Sequence, residues 1–136
     1  MKQTVEEAVA NHRKLWNGII EELETNGIGN RSAYGIKDAV RRKLFPELNN
    51  EVVHENCFLC DFVIEEYGRE GHEATKDCMK CPMVKWVPFG CLGYRYGIFH
   101  NACTDKDVEK AIKYAKEILR LRVVNDMYKE SPCYKN

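Results

Sequence analysis

Residues 4–25 read TVEEAVANHRKLWNGIIEELET, and the spacing of their apolar side chains decides the fold class. Val5, Ala8, Val9, His12, Leu15, Trp16, Ile19, Ile20 and Leu23 recur at intervals of three and four, with charged residues between them. That is the period of one buried face of an α-helix. Thr4 followed by Glu7 predicts a capping box at its start, and Gly27 predicts its stop. Beyond a short loop, Ser32 is a suitable N-cap for a second helix to Leu44, which Pro46 ends; Ile36, Val40 and Leu44 give it an inner face. Near the other end, Thr104 and Asp107 resemble a cap, and Val108, Ala111, Ile112, Ala115, Ile118 and Leu119 predict a last helix over about 104–122. Residues 125–136 read as a polar tail.

Between these helices the pattern changes. From 49 to 103 the periodicity weakens, glycines and aromatic residues accumulate, and six of the seven cysteines appear. One local helix is expected from Leu59 to Tyr67, stopped by Gly68, and the segment 84–99 reads as short strands, turns or both. Cys57-Phe-Leu-Cys60 and Cys78-Met-Lys-Cys81 form two CxxC pairs with seventeen residues between them. A two-residue gap lets a turn bring both sulfurs to one side, and a loop of this length can return the second pair to complete a tetrahedron. Four soft thiolate ligands predict one structural zinc, with an iron–sulfur centre or unligated thiols as the competing readings. Cys91 could replace one of the four, and His54 and His72 lie close enough in sequence to compete.

The fold class expected is mainly α, with a small α+β arrangement as its variant: three amphipathic helices carrying a four-cysteine zinc-ribbon or knuckle-like insertion. With 136 residues and 44% hydrophobic content, the chain has the size of a single domain with one modest core. An odd cysteine count and the polar stretch MKQTVEEAVANHRK argue against a disulfide-built secreted protein, and no apolar run reaches the ~18 residues of a membrane span. A cytoplasmic protein with no membrane partner is therefore expected.

Twenty-one basic residues balance twenty-one acidic ones, but unevenly along the chain. Residues 51–77 hold eight acidic and two basic side chains, so the cysteine-rich loop would repel phosphates. Arg31, Lys37, Arg41, Arg42 and Lys43 are opposed only by Asp38, which makes 31–43 a candidate surface for an acidic partner or nucleic acid, beside the simpler reading of a solvated helix face. Trp86, Phe89, Tyr94 and Tyr96 are candidate contact residues, or else packing around the metal loop.

Chemistry-bearing motifs are sparse. The chain contains no Walker loop, GxGxxG, HExxH or GxSxG. A zinc deaminase would need a His-x-Glu ahead of Pro-Cys-x-x-Cys, whereas here Pro82 follows Cys81. His100, Asn101 and Cys103 suggest a nucleophilic site only by composition; a buried cysteine is the simpler reading.

The string His12-Arg-Lys-Leu-Trp-Asn-Gly-Ile-Ile, then Cys57-Phe-Leu-Cys60, then Lys80-Cys81-Pro82 with Trp86, resembles small uncharacterised cysteine-rich, zinc-binding proteins of Firmicutes phages and prophages. The resemblance implies one zinc-stabilised helical domain in a bacterial host cytoplasm, with Cys91 matching a later cysteine of that group, and it implies no particular activity. The function expected is then non-enzymatic: an accessory protein that binds a host protein during takeover or counter-defence. A nucleic-acid-binding regulator and a binder or enzyme acting on a small, nucleotide-like ligand are the alternatives.

Overall fold

The computed structural model describes residues 2–68, 79–83 and 95–136. Among them are five α-helices and no strand: α1 (Val5–Asn26), α2 (Ala33–Leu44), α3 (Phe58–Tyr67), α4 (Arg95–Thr104) and α5 (Val108–Leu119). The mainly α class is as the sequence predicts. Cys78, Cys91, His72, Trp86, Phe89 and Tyr94 lie outside the described residues, so that of the second CxxC pair only Cys81 is described.

Helix α1 starts as its sequence dictates. The Thr4 hydroxyl accepts the Glu7 N–H at 3.1 Å, and the Glu7 carboxylate accepts the Thr4 N–H at 3.0 Å, closing the capping box. Gly27 and Gly68, with φ of 67° and 74°, end α1 and α3 in the left-handed region that a side chain disfavours.

The core is two clusters strung along α1. Its second half, Leu15, Trp16, Ile19, Ile20 and Leu23, packs with Ile36 and Val40 of α2, Phe99 of α4 and Ala111, Ala115 and Ile118 of α5. Fully burying such aliphatic side chains contributes about 1.5–3 kcal/mol each. Its first turns, Ala8 and Val9, pack instead with Leu59, Phe62 and Val63 of α3, with Cys81 and Met83, and with Val123 and Tyr128. Gly18 sits where α1 meets α2: a Cβ there would lie 2.8 Å from Val40 Cγ1 and would also strike Leu44 Cδ1, so the close approach of the helices requires its missing side chain.

Two boundary readings are corrected. The last helix does not begin at Thr104. That residue ends α4, its hydroxyl donating to the His100 carbonyl at 3.2 Å, and Asp107 caps α5 by accepting the Lys110 N–H at 3.1 Å. Part of the segment expected as strands or turns is helical, because Tyr96 and Phe99 have Trp16 to pack on, at 6.2 and 4.9 Å between ring centroids. The polar residues 125–136 also make fixed contacts with the rest of the fold. Val123 is fully buried and bridges to Tyr134, and Asn125 and Tyr128 are buried beside Met79–Cys81.

Candidate metal centre

Cys57 is the N-cap of α3, a place usually taken by Ser, Thr, Asp or Asn. Its sulfur accepts the Cys60 N–H at 3.3 Å, so the two-residue gap puts the second cysteine at the helical position facing the first. The Cys60 side chain also hydrogen-bonds that sulfur; this, aided by the charge of Lys37, outweighs burial and brings the Cys57 thiol down to about 6. A thiol so placed is prepared to act as a thiolate ligand.

The second pair is represented by Cys81, which is buried in the same apolar cluster against which Cys57 packs. The carboxy-terminal segment holds its backbone. The N–H groups of Val124 and Asn125 both donate to the Pro82 carbonyl at 3.1 Å. The Asn125 side-chain amide donates to the carbonyls of Met79 and Cys81, each at 2.9 Å, and the Tyr128 hydroxyl donates to the Lys80 carbonyl. Cys133, left in the tail by sequence reasoning, packs on this cluster too, its sulfur 3.0 Å from the Ser131 hydroxyl. No paired spacing marked it.

The turn that leads into Cys57 is unusual. Glu55 and Asn56 are both left-handed, with φ of 59° and 48°, a conformation costing a non-glycine residue roughly 1–2 kcal/mol. Two buried cations hold it. Lys37 donates to the Glu55 carbonyl at 2.9 Å, and Arg41 Nε donates to Asn56 Oδ1 at 2.6 Å. Hydrogen bonds to charged groups contribute about 1.5–3 kcal/mol each, enough to offset the strain.

These bonds also correct the reading of 31–43 as one basic surface. Lys37 and Arg41 are each only 4% exposed, and Lys37 further donates to the Tyr96 hydroxyl at 3.2 Å. Arg42 is exposed but paired with Asp38 at 2.9 Å, and Arg31 is paired with Glu22 at 2.9 Å. The period of α2 turns half of its cations inward, where they clamp the turn that leads into Cys57. Tyr96, offered as a contact residue, lies half-buried between Trp16 and Lys37, whose ammonium sits 4.5 Å from its ring centre.

The same turn brings His54 alongside Asp61 and Glu65 of α3. His54 Nε2 lies 3.9 Å from Asp61 Oδ1 and 3.7 Å from Glu65 Oε1, a trio that could hold a metal ion. Asp61 is fully buried; its Oδ1 accepts the His54 backbone N–H at 3.2 Å and its Oδ2 accepts from Gln3 at 3.4 Å. Desolvation raises its carboxyl above the usual range. The i, i+4 spacing of Asp61 and Glu65 was legible in the sequence, but nothing there marked His54 as the third member.

Cys103 is fully buried, and desolvation raises its thiol to about 11, while His100 and Asn101 are exposed. The trio that composition suggests as a nucleophilic site is therefore split between core and surface.

Fold and site together define a small helical protein with a cysteine-containing candidate metal centre. The chain matches no family model, no curated protein and no solved structure. No helix among the described residues is long and apolar enough to cross a membrane.

Proposed function

We propose that this chain is a zinc-stabilised, non-enzymatic accessory protein of the phage and prophage type, which acts by binding a host protein in the bacterial cytoplasm. Cys57, Cys60, Cys78 and Cys81 hold the zinc in this reading. The observation that carries the metal part is the Cys57–Cys60 turn, whose sulfur-capped helix start and lowered thiol suit a thiolate ligand pair, with Cys81 buried in the adjoining cluster.

The binding part rests on the surface beside that centre. Tyr67, Met79, Val124 and Met127 are 41%, 48%, 36% and 51% exposed, and all belong to segments that meet around Lys80–Pro82. An open groove of about 490 Å³ begins at Tyr67 and is lined also by Gln3, Val5, Phe62, Glu66 and Tyr128. Exposed aromatic and methionine side chains next to a rigid centre suit a protein partner, since such residues are enriched at interface cores. Glu6, Glu7 and Glu66 outnumber Lys2 around the groove, which favours a partner segment with basic as well as apolar side chains. A nucleic-acid role draws no support from 31–43, where two of the cations are spent inside the fold.

The test is affinity capture from a bacterial host with native mass spectrometry, comparing the wild type with Tyr67→Glu and Met127→Asp. A stoichiometric host protein that both substitutions release, at unchanged zinc content and melting temperature, is the result expected. An identical set of captured proteins from all three forms, or a retained nucleotide in place of a protein, would overturn the reading.

A further inference from the structure

We infer that, given the protein-binding reading above on which this rests, the groove that begins at Tyr67 anchors an arginine side chain of the partner. The guanidinium pairs with the Glu66 carboxylate and lies against the Tyr67 ring. At about 490 Å³ the groove has the size of a site that takes a side chain with its neighbours. Its apolar lining is aromatic: Phe62 and Tyr128 are buried, with ring centroids 5.9 Å apart, and the exposed Tyr67 ring stands beside them. The Tyr128 hydroxyl donates to the Lys80 carbonyl, and burial pushes its phenol well above the usual range, so these rings add no negative charge of their own. Tyr67 already takes a cation from this chain. Lys80 Nζ sits 5.4 Å from its ring centre, within the ~6 Å reach of a cation–π contact.

The charge of the groove is also set by its residues. Glu6, Glu7 and Glu66 line it against the single ammonium of Lys2. Two of these carboxylates serve the fold while keeping their charge. Glu7 accepts the Thr4 N–H at 3.0 Å, and Glu6 accepts the Ser131 hydroxyl at 2.7 Å, which holds its carboxyl below the usual range. The third is uncommitted: among the described residues, no side chain pairs with the Glu66 carboxylate. Glu66 follows Phe62 by four residues and precedes Tyr67, so one stretch of α3 brings its charge and both rings to the same groove. Such a surface repels phosphates and acidic segments and attracts a cation.

Aromatic rings beside an unpaired carboxylate select the guanidinium among cations. Its plane stacks on a ring face while its edge donates two parallel hydrogen bonds to one carboxylate. An ammonium is more strongly hydrated and loses more on leaving water, and a quaternary ammonium has no hydrogen to donate to Glu66. An aliphatic residue next to the arginine completes the fit by covering Val5.

The test is an NMR titration of the purified, zinc-loaded protein with the tripeptide amide acetyl-Leu-Arg-Leu and with its citrulline counterpart, whose urea has the shape of the guanidinium without its charge. The arginine peptide at millimolar concentration should shift the ring protons of Tyr67 and Phe62, and the citrulline peptide should bind about tenfold more weakly. Glu66→Gln should lose this preference at an unchanged circular dichroism spectrum and melting temperature. Equal binding of the two peptides, a preference kept in full by Glu66→Gln, or no shift at Tyr67 with millimolar arginine peptide would refute the anchor. Capture from the bacterial host separates the two readings. A host protein released by Tyr67→Glu but held at full strength by Glu66→Gln would refute the arginine anchor and leave protein binding standing. Arginine-peptide binding that needs Glu66, with no host protein captured, would support the anchor and count against the host-protein reading alone.

Discussion

Asn125 donates both hydrogens of its side-chain amide to backbone carbonyls more than forty residues earlier in the chain, those of Met79 and Cys81, at 2.9 Å each. Its own oxygen accepts the Met127 N–H at 3.0 Å, so every polar atom of this buried side chain is used. The carboxy-terminal segment is thereby a template for the backbone of Met79–Pro82, which carries Cys81. Asn125→Ala should destabilise the protein by about 2–3 kcal/mol, since three hydrogen bonds of about 1 kcal/mol each disappear inside the fold. Asn125→Asp should cost more, because a carboxylate would face two carbonyl oxygens. Urea denaturation checks both, and an Asn125→Asp variant as stable as the wild type would contradict the template role.

Metal removal tests the cysteine centre directly. Binding energy at a structural zinc is folding energy, on the order of 10 kcal/mol in small fingers, so a strong chelator should lower the melting temperature sharply. Cys57→Ser and Cys78→Ser should each abolish stoichiometric zinc. If Cys78→Ser kept both the metal and the melting temperature, the four-cysteine assignment would be wrong, and Cys91 or Cys133 would be the next ligand to examine.

Arg41 should be far more sensitive to substitution than a surface cation. Its guanidinium bonds Asn56, reaches the Leu48 carbonyl at 3.4 Å and pairs with Asp38 at 3.5 Å. Arg41→Met removes the support of a left-handed turn and should cost about 3 kcal/mol, whereas Arg42→Met, at an exposed pair, should cost no more than about 0.5 kcal/mol. Comparable losses for the two in thermal denaturation would show that Arg41 is not a clamp.

His12 predicts a pH dependence. Burial in α1 depresses its imidazole to about 4, and its Nε2 meets the Ile118 carbonyl at 3.4 Å. The unfolded chain protonates this group near 6.5 and the folded chain does not, so the unfolded state binds more protons between those values. Stability is then fully present above pH 6.5 and falls by up to about 3 kcal/mol as pH drops toward 4. His12→Gln should flatten that part of the profile; an unchanged slope would exclude His12 as its source.

Gly18→Ala sets two effects against each other. Alanine gains up to about 1 kcal/mol in helix propensity, while the new methyl presses on Val40 and Leu44, and overpacking costs about 1–3 kcal/mol. Net destabilisation of about 1 kcal/mol is expected by calorimetry, and a stabilised variant would mean that α1 and α2 separate freely.

Sequence periodicity determined α1, most of α2 and α3, and the inward face of α5, because a 3.6-residue repeat of apolar side chains requires no partner to be recognised. The capping box at Thr4 and the stop at Gly68 were equally legible, being local in φ, ψ and hydrogen bonding. The two CxxC pairs were visible by spacing, as was the chance of a metal. Tertiary structure alone decided that Lys37 and Arg41 turn inward, since a cation's partner here is a strained turn some fifteen to twenty residues away. It also made a helix of Arg95–Thr104, whose weak amphipathic pattern is compensated by Trp16, and it converted the polar carboxy-terminal residues into a clasp on Met79–Pro82. Finally, it brought His54 to Asp61 and Glu65. Hydrogen bonds and ligand sets between distant segments leave no period in a sequence, because their geometry exists only once the segments have packed.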